Sequence, residues 1–167
     1  MAKSKIMIVE DEWITADDIR MSLESLGFIV TSVSSSGDEA IQNAEKDKPD
    51  LVLMDIMLKG EMDGIEAASH IRARYNIPII YLTAFADEKI LERARMTEPF
   101  GYIVKPFVNE DLKISIEIAL YKHRIEKERR RLIEELHGAL PKITTLSGLL
   151  PICPSCKKIR DAEGNWK

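Results

Sequence analysis

Asp50-Leu51-Val52-Leu53-Met54-Asp55 is the stretch on which the fold turns. Four apolar residues run without a break between two aspartates. A strand with one wet face alternates apolar and polar residues, so an unbroken run of this length predicts a strand covered on both faces. Pro49 and Asp50 lead into it, and Asp55 stops it. The signature recurs on either side. Lys5–Val9 runs into Glu10-Asp11-Glu12, and Phe28–Val33 is a second strand; Ile77–Leu82 and Gly101–Val104 follow downstream, the last stopped by Lys105-Pro106.

Longer amphipathic stretches separate these runs. Trp13, Ile14, Ile19, Leu23 and Leu26 fall at helical spacing, and Gly27 supplies a stop. Ser36 is placed to cap a helix through Ala40, Ile41 and Ala44, with Glu39 completing a capping box. Gly64–Tyr75 puts Ile65, Ala68 and Ile71 on one side, Asp87–Met96 reads as a fourth helix, and Asn109 caps a last one. Trp13 and Phe107 read as packing residues, and the seven methionines as scattered filler. Five strands, each followed by a helix, predict an α/β fold: a doubly wound five-stranded parallel sheet in a flavodoxin-like three-layer sandwich.

The remaining bulk properties narrow the class. The chain has 167 residues and a formal net charge of -4, enough for one core plus an appendage and with no basic excess for nucleic acid or an anionic membrane. The apolar run at Ile6–Val9 is too short for a signal peptide or a membrane span. Two cysteines near the C-terminus cannot staple the rest. A soluble cytoplasmic protein is expected.

Ligands of open parallel sheets bind beyond the carboxyl ends of the strands. Here those ends carry Glu10-Asp11, Asp55, Thr83-Ala84 and Lys105-Pro106. Taken singly, each is ordinarily a solvated loop residue. Together they bring three carboxylates, a hydroxyl and an ammonium to one rim. Crowded carboxylates repel unless a cation sits among them, and hard oxygen ligands suit Mg²⁺. Phosphoryl transfer requires positioning and charge neutralisation more than covalent chemistry. Asp55 is the central carboxylate and the candidate nucleophile; Thr83 and Lys105 can each meet one oxygen of the transferred group. Lys105 is the only cation expected near the cluster.

These residues carry a resemblance. Ile8-Val9-Glu10-Asp11-Glu12, Asp50-Leu51-Val52-Leu53-Met54-Asp55, Met62-Asp63-Gly64, Pro78-Ile79-Ile80-Tyr81-Leu82-Thr83-Ala84 and Gly101-Tyr102-Ile103-Val104-Lys105-Pro106-Phe107 resemble the receiver domain of two-component response regulators, over Lys5 to about Leu120. The resemblance implies strand order 2-1-3-4-5 and Asp55 as phosphoacceptor. It implies Mg²⁺ held by Asp11, Asp55 and the carbonyl of Met57, with Glu10 acting through water, and a cis Lys105–Pro106 bond. Phosphoryl oxygens would meet Thr83, Ala84 and Lys105, and Thr83 with Tyr102 would form the switch pair. A cognate histidine kinase or phosphotransfer protein is the implied partner. Such a domain catalyses only its own phosphorylation and slow dephosphorylation. The loop Ile56–Met62 departs from the family pattern: it lacks a Pro and is one residue longer, and Met57 offers no polar side chain.

The organisation expected is a receiver over 1–121, a helical extension over 122–142 and a tail over 143–167. Along the extension, Ile118, Ile125, Leu132 and Ala139 recur every seven residues, while Glu128 and Glu135 fall at d-like positions. That is half a coiled-coil seam, which fits either a solvated helix or a weak homodimer. Glu126 with Arg130, Arg130 with Glu134 and Arg131 with Glu135 are placed to pair, and Pro141 should end or kink the helix. Cys153-Pro154-Ser155-Cys156 could hold zinc only with further ligands. The stretch around it resembles a segment found after receiver domains, where a second cysteine pair follows, so the tail is expected to be half of a small metal-binding module.

Three rivals stand beside this reading. A haloacid-dehalogenase-type phosphatase wants a second Asp where Met57 stands. A flavodoxin-like nucleotide-binding module wants a phosphate-cradling loop where Glu10-Asp11-Glu12 stands. A nucleic-acid-binding regulator wants a helix-turn-helix that the tail lacks. A receiver-like interaction scaffold that is never phosphorylated is a further alternative.

Overall fold

The strand beginning at Leu51 lies at the centre of the sheet. The computed structural model describes residues 3–84 and 88–147, with side chains as far as Ala139. Its elements are β1 (Lys5–Val9), α1 (Trp13–Ser25), β2 (Ile29–Ser34), α2 (Gly37–Asp47), β3 (Leu51–Asp55), α3 (Gly64–Tyr75), β4 (Ile79–Thr83), α4 (Glu88–Met96), β5 (Gly101–Val104) and α5 (Asn109–Ser147). The strands pair in parallel in the order β2-β1-β3-β4-β5. The chain divides into two compact units, 1–124 and 125–167, and the sheet belongs to the first.

Alternate residues of each central strand feed two separate cores. Met7, Val9, Val52, Met54 and Tyr81 point to one face, where Ala40, Ala44, Ile65, Ala68 and Ile71 of α2 and α3 cover them. Ile6, Ile8, Leu51, Leu53, Ile80 and Leu82 point to the other, where Ile19 and Leu23 of α1 and Leu112, Ile116 and Ala119 of α5 cover them. Both faces of β3 are therefore dry, which is why its sequence shows no alternation. All five β3 residues are buried, Asp55 included.

Helix ends follow local chemistry. Gly27, at φ 90, ends α1, with Phe28 N–H donating to the Leu23 carbonyl and Gly27 N–H to that of Glu24, the paired bonds of a Schellman turn. Ser36 accepts from Glu39 N–H as expected, but the Glu39 carboxylate reaches Ser35 N–H and Oγ instead of closing the box on Ser36. The full capping box is at α3, between Asp63 and Glu66.

Several expectations are corrected. β2 and β4 lie one to two residues later than read, at Ile29–Ser34 and Ile79–Thr83. Trp13 is 77% exposed and Ile14 67%, so the buried face of α1 is Ala16, Ile19 and Leu23. Helical spacing alone admitted both stripes, and the sheet chose between them. Phe107 does pack against the second core. The last helix includes Asn109 and continues through Pro141 to Ser147. Pro141 therefore does not end the helix, although it removes one N–H from the ladder there. Arg131 pairs with Glu128 at 2.8 Å and Glu135 at 3.6 Å, whereas Arg130 forms no ion pair among the described residues. No helix among those residues is long and apolar enough to cross a membrane. Asp87, Cys153 and Cys156 lie outside the described residues.

Candidate functional site

The carboxyl ends of β1, β3, β4 and β5 bring the expected residues together. β1 and β3 are in direct register through Val9 and Met54, so Glu10-Asp11 and Asp55 leave neighbouring strands side by side. Glu10, Asp11 and Asp55 each offer an oxygen within 4.8 Å of the others. Lys105, one residue past β5, reaches across with its Nζ 2.6 Å from Glu10 Oε2 and 2.8 Å from Asp55 Oδ2. The Lys105–Pro106 bond is cis.

Burial sets the electrostatics. Glu10 is almost fully buried, and this desolvation raises its carboxyl above the usual range; the Lys105 bond opposes the rise and the Asp55 charge adds to it. Burial works against the Lys105 ammonium too, but its bonds to Asp55 and Glu10 outweigh that and raise it. Glu10 is further held by Ser34, whose carbonyl accepts its N–H, and its Oε1 accepts from Glu12 N–H.

Asp55 is oriented from the loop that follows it. Its Oδ1 accepts the Met57 N–H at 2.9 Å, while the Met57 side chain is exposed. Gly64 N–H donates to the Ile56 carbonyl, folding the loop back on its own start. A Cβ on Gly64 would lie 1.8 Å from the Asp55 carbonyl oxygen, so only glycine admits this approach. Thr83 is buried at the end of β4, its carbonyl accepting Lys105 N–H at 2.7 Å, and Ala84 beside it is exposed. Tyr102 lies against Tyr81, ring centroids 5.8 Å apart, with its hydroxyl buried and without a hydrogen bond among the described residues; desolvation raises it.

The donor set fits a hard divalent cation. Asp11 Oδ2 is buried and takes part in no hydrogen bond among the described residues, the condition of an oxygen whose partner would be a metal. Contrary to the expectation from sequence, Lys105 is not the only cation near the cluster. Lys59 Nζ lies 3.2 Å from Asp11 Oδ2, close enough to attract it but without hydrogen-bond geometry. Nothing in the one-dimensional pattern connects Lys59 to Asp11, because only the fold of the β3–α3 loop brings them together. Arg93 was missed for the same reason: from α4 it pairs at 2.7 Å with Asp63, the cap of α3.

A family model described as the response regulator receiver domain matches residues 6–117. The chain belongs to that family. The receiver resembles transcriptional regulatory protein PdtaR of Mycobacterium tuberculosis, 38% identical over 81% of this chain and 72% of PdtaR. Among solved structures, the receiver is similar to the signal receiver domain of a modulated diguanylate cyclase from Desulfovibrio desulfuricans. The TM-score is 0.73 at 41% identity, over 75% of this chain and 99% of that one. It is also similar to the receiver domain of a sensor histidine kinase from Pseudomonas aeruginosa, which holds a magnesium ion in its active-site cleft. There the TM-score is 0.65 at 34% identity, over 71% of this chain and 98% of that one. The receiver thus acts in two-component signalling, and its acidic cluster is of the kind that binds a metal ion.

Proposed function

We propose that Asp55 accepts a phosphoryl group from the phosphohistidine of a kinase or phosphotransfer protein, and that the resulting change around Thr83 and Tyr102 is read by a partner. The observation that carries this is the Lys105 ammonium bridging Glu10 and Asp55 beside Asp11, whose buried oxygen makes no hydrogen bond among the described residues. In the transfer, an Asp55 carboxylate oxygen forms the new P–O bond as the donor P–N bond breaks. The electron pair leaves with the imidazole, which takes up a proton. Lys105 exchanges its Asp55 contact for a phosphoryl oxygen, and the Thr83 hydroxyl and Ala84 N–H meet the others. Mg²⁺, held by Asp11, Asp55, the Met57 carbonyl and Glu10 through water, would neutralise charge accumulating on the phosphoryl oxygens. The magnesium of the Pseudomonas aeruginosa relative supports that choice of ion.

The chain acts only on itself under this reading and is not an enzyme toward other substrates. Donors charged from ATP put it in the cytoplasm. Intact-protein mass spectrometry after incubation with acetyl phosphate and MgCl₂ tests it: one acid-labile phosphoryl group is expected on the wild type and none on Asp55→Asn. Equal labelling of the two moves the acceptor elsewhere, and no labelling of the wild type by acetyl phosphate or a charged kinase leaves an unphosphorylated scaffold. A weak homodimer through α5 forms part of the proposal, because Ile118, Ile125 and Leu132 are all about half exposed on it.

A further inference from the structure

Each carboxylate of the cluster faces an ammonium of the protein itself. Glu10 and Asp55 share Lys105, and Asp11 faces Lys59. The two ammoniums are held very differently. Lys105 is mostly buried and makes two short hydrogen bonds. Lys59 is 87% exposed and meets Asp11 Oδ2 at 3.2 Å without a hydrogen bond. The inner cation is held by two carboxylates, and the outer one can leave.

Lys59 also sits where departure has consequences. It stands in the loop between Asp55 and Gly64, directly before Gly60, whose φ of 131 is a backbone state that side chains disfavour. The loop's own start carries the Met57 N–H that binds Asp55. Lys59 is thus the one part of this loop that touches β1's end of the site through a charge.

We propose that Lys59 is a tethered counter-cation of the metal site: it neutralises Asp11 and is displaced by the divalent ion, so it sets the affinity for that ion and couples ion binding to the β3–α3 loop. This rests on the metal reading given above. Three carboxylates facing two ammoniums leave a formal charge of -1. A divalent ion entering among those oxygens is repelled by an ammonium on the same Asp11 oxygen. The exposed lysine yields because water replaces its contact at little cost. The inner lysine holds its place because it would leave two buried carboxylates behind.

Titration of the full chain with MgCl₂, followed by amide and lysine side-chain NMR shifts at low and high ionic strength, tests the proposal. Lys59→Gln is expected to tighten Mg²⁺ binding roughly two- to fivefold at low ionic strength, the range spanned by an exposed ion pair. Lys59→Arg keeps the charge and should bind as the wild type does. The gap between Gln and wild type should narrow as salt screens the repulsion, and the Lys59 methylene shifts should follow Mg²⁺ occupancy. Lys59 is exposed, so both variants are expected to melt as the wild type does without Mg²⁺. Glutamine binding Mg²⁺ no more tightly than wild type overturns the role of Lys59 and leaves the metal site standing. Wild type and Gln that both fail to bind Mg²⁺ overturn the metal reading itself, and Lys59 with it.

Discussion

Gly64 is fixed by position more than by backbone freedom: the added carbon of an alanine would meet the Asp55 carbonyl at 1.8 Å. Something must shift, and what lies there is the main chain of the acceptor residue. Gly64→Ala is expected to destabilise by about 1–3 kcal/mol, as overpacking does, and to slow phosphorylation of Asp55. A urea melt and a phosphorylation time course check both; a variant stable but unchanged in labelling would separate Gly64 from the site. Tyr81 offers a test by pH. Burial, partly opposed by the Thr97 bond, pushes its phenol up to about 12. An unfolded tyrosine titrates near pH 10, so below about pH 10 the native advantage is complete. Between about 10 and 12 the unfolded chain loses its proton first, and about 3 kcal/mol of stability goes with it. The raised Lys105 changes in the same direction, its contribution fading as pH rises through its folded value. Tyr81→Phe should flatten the alkaline part of the stability profile, as denaturant melts across that range would show.

At the scale of elements, α4 is held more by polar contacts than by packing. Ala94 is its only buried residue, with Ile90 partly covered. Thr97, just beyond its end, shares a 2.7 Å hydrogen bond with the buried Tyr81 hydroxyl and donates to the Ala94 carbonyl. Arg93 ties the helix to Asp63. Thr97→Val keeps the shape and removes the partner, leaving the Tyr81 hydroxyl buried and unpaired at a cost of about 1–3 kcal/mol. Hydrogen exchange in α4 should then quicken relative to β3, and equal protection in mutant and wild type would show that α4 is held by other contacts. The helix periods of α2 and α3 were legible in sequence because each shows a single apolar stripe. The face of α1 was not, because Trp13 and Ile14 fall at the same spacing as the buried residues. Local spacing cannot say which stripe a sheet will cover.

For the whole molecule, ligand linkage gives the broadest check. An ion that binds only the folded chain stabilises it in proportion to the logarithm of its concentration, about 3 kcal/mol at a hundred times its dissociation constant. Thermal melts should rise with MgCl₂ in the wild type and hardly move in Asp11→Ala, which removes a buried oxygen that makes no hydrogen bond among the described residues. Association is a separate question for α5. Ile125→Glu with Leu132→Glu should abolish any concentration-dependent dimer in sedimentation, while wild type that stays monomeric at high concentration leaves α5 a solvated helix steadied by pairs such as Arg131–Glu128.

The sequence by itself determined the strands to within a residue or two, their parallel pairing and the residues just beyond their ends, while their order in the sheet came from the family resemblance. Burial on both faces writes an unbroken apolar run, and the polar residue that ends each run marks the rim where chemistry occurs. Asp55, Glu10, Asp11, Thr83 and Lys105 were therefore readable from the chain alone. Tertiary structure alone decided which charges meet. Lys59 lies 48 positions from Asp11 and Arg93 lies 30 from Asp63, and both pairs arise where segments distant in the chain are folded against one another. Contacts of that kind follow from three-dimensional proximity, for which a sequence period holds no signal.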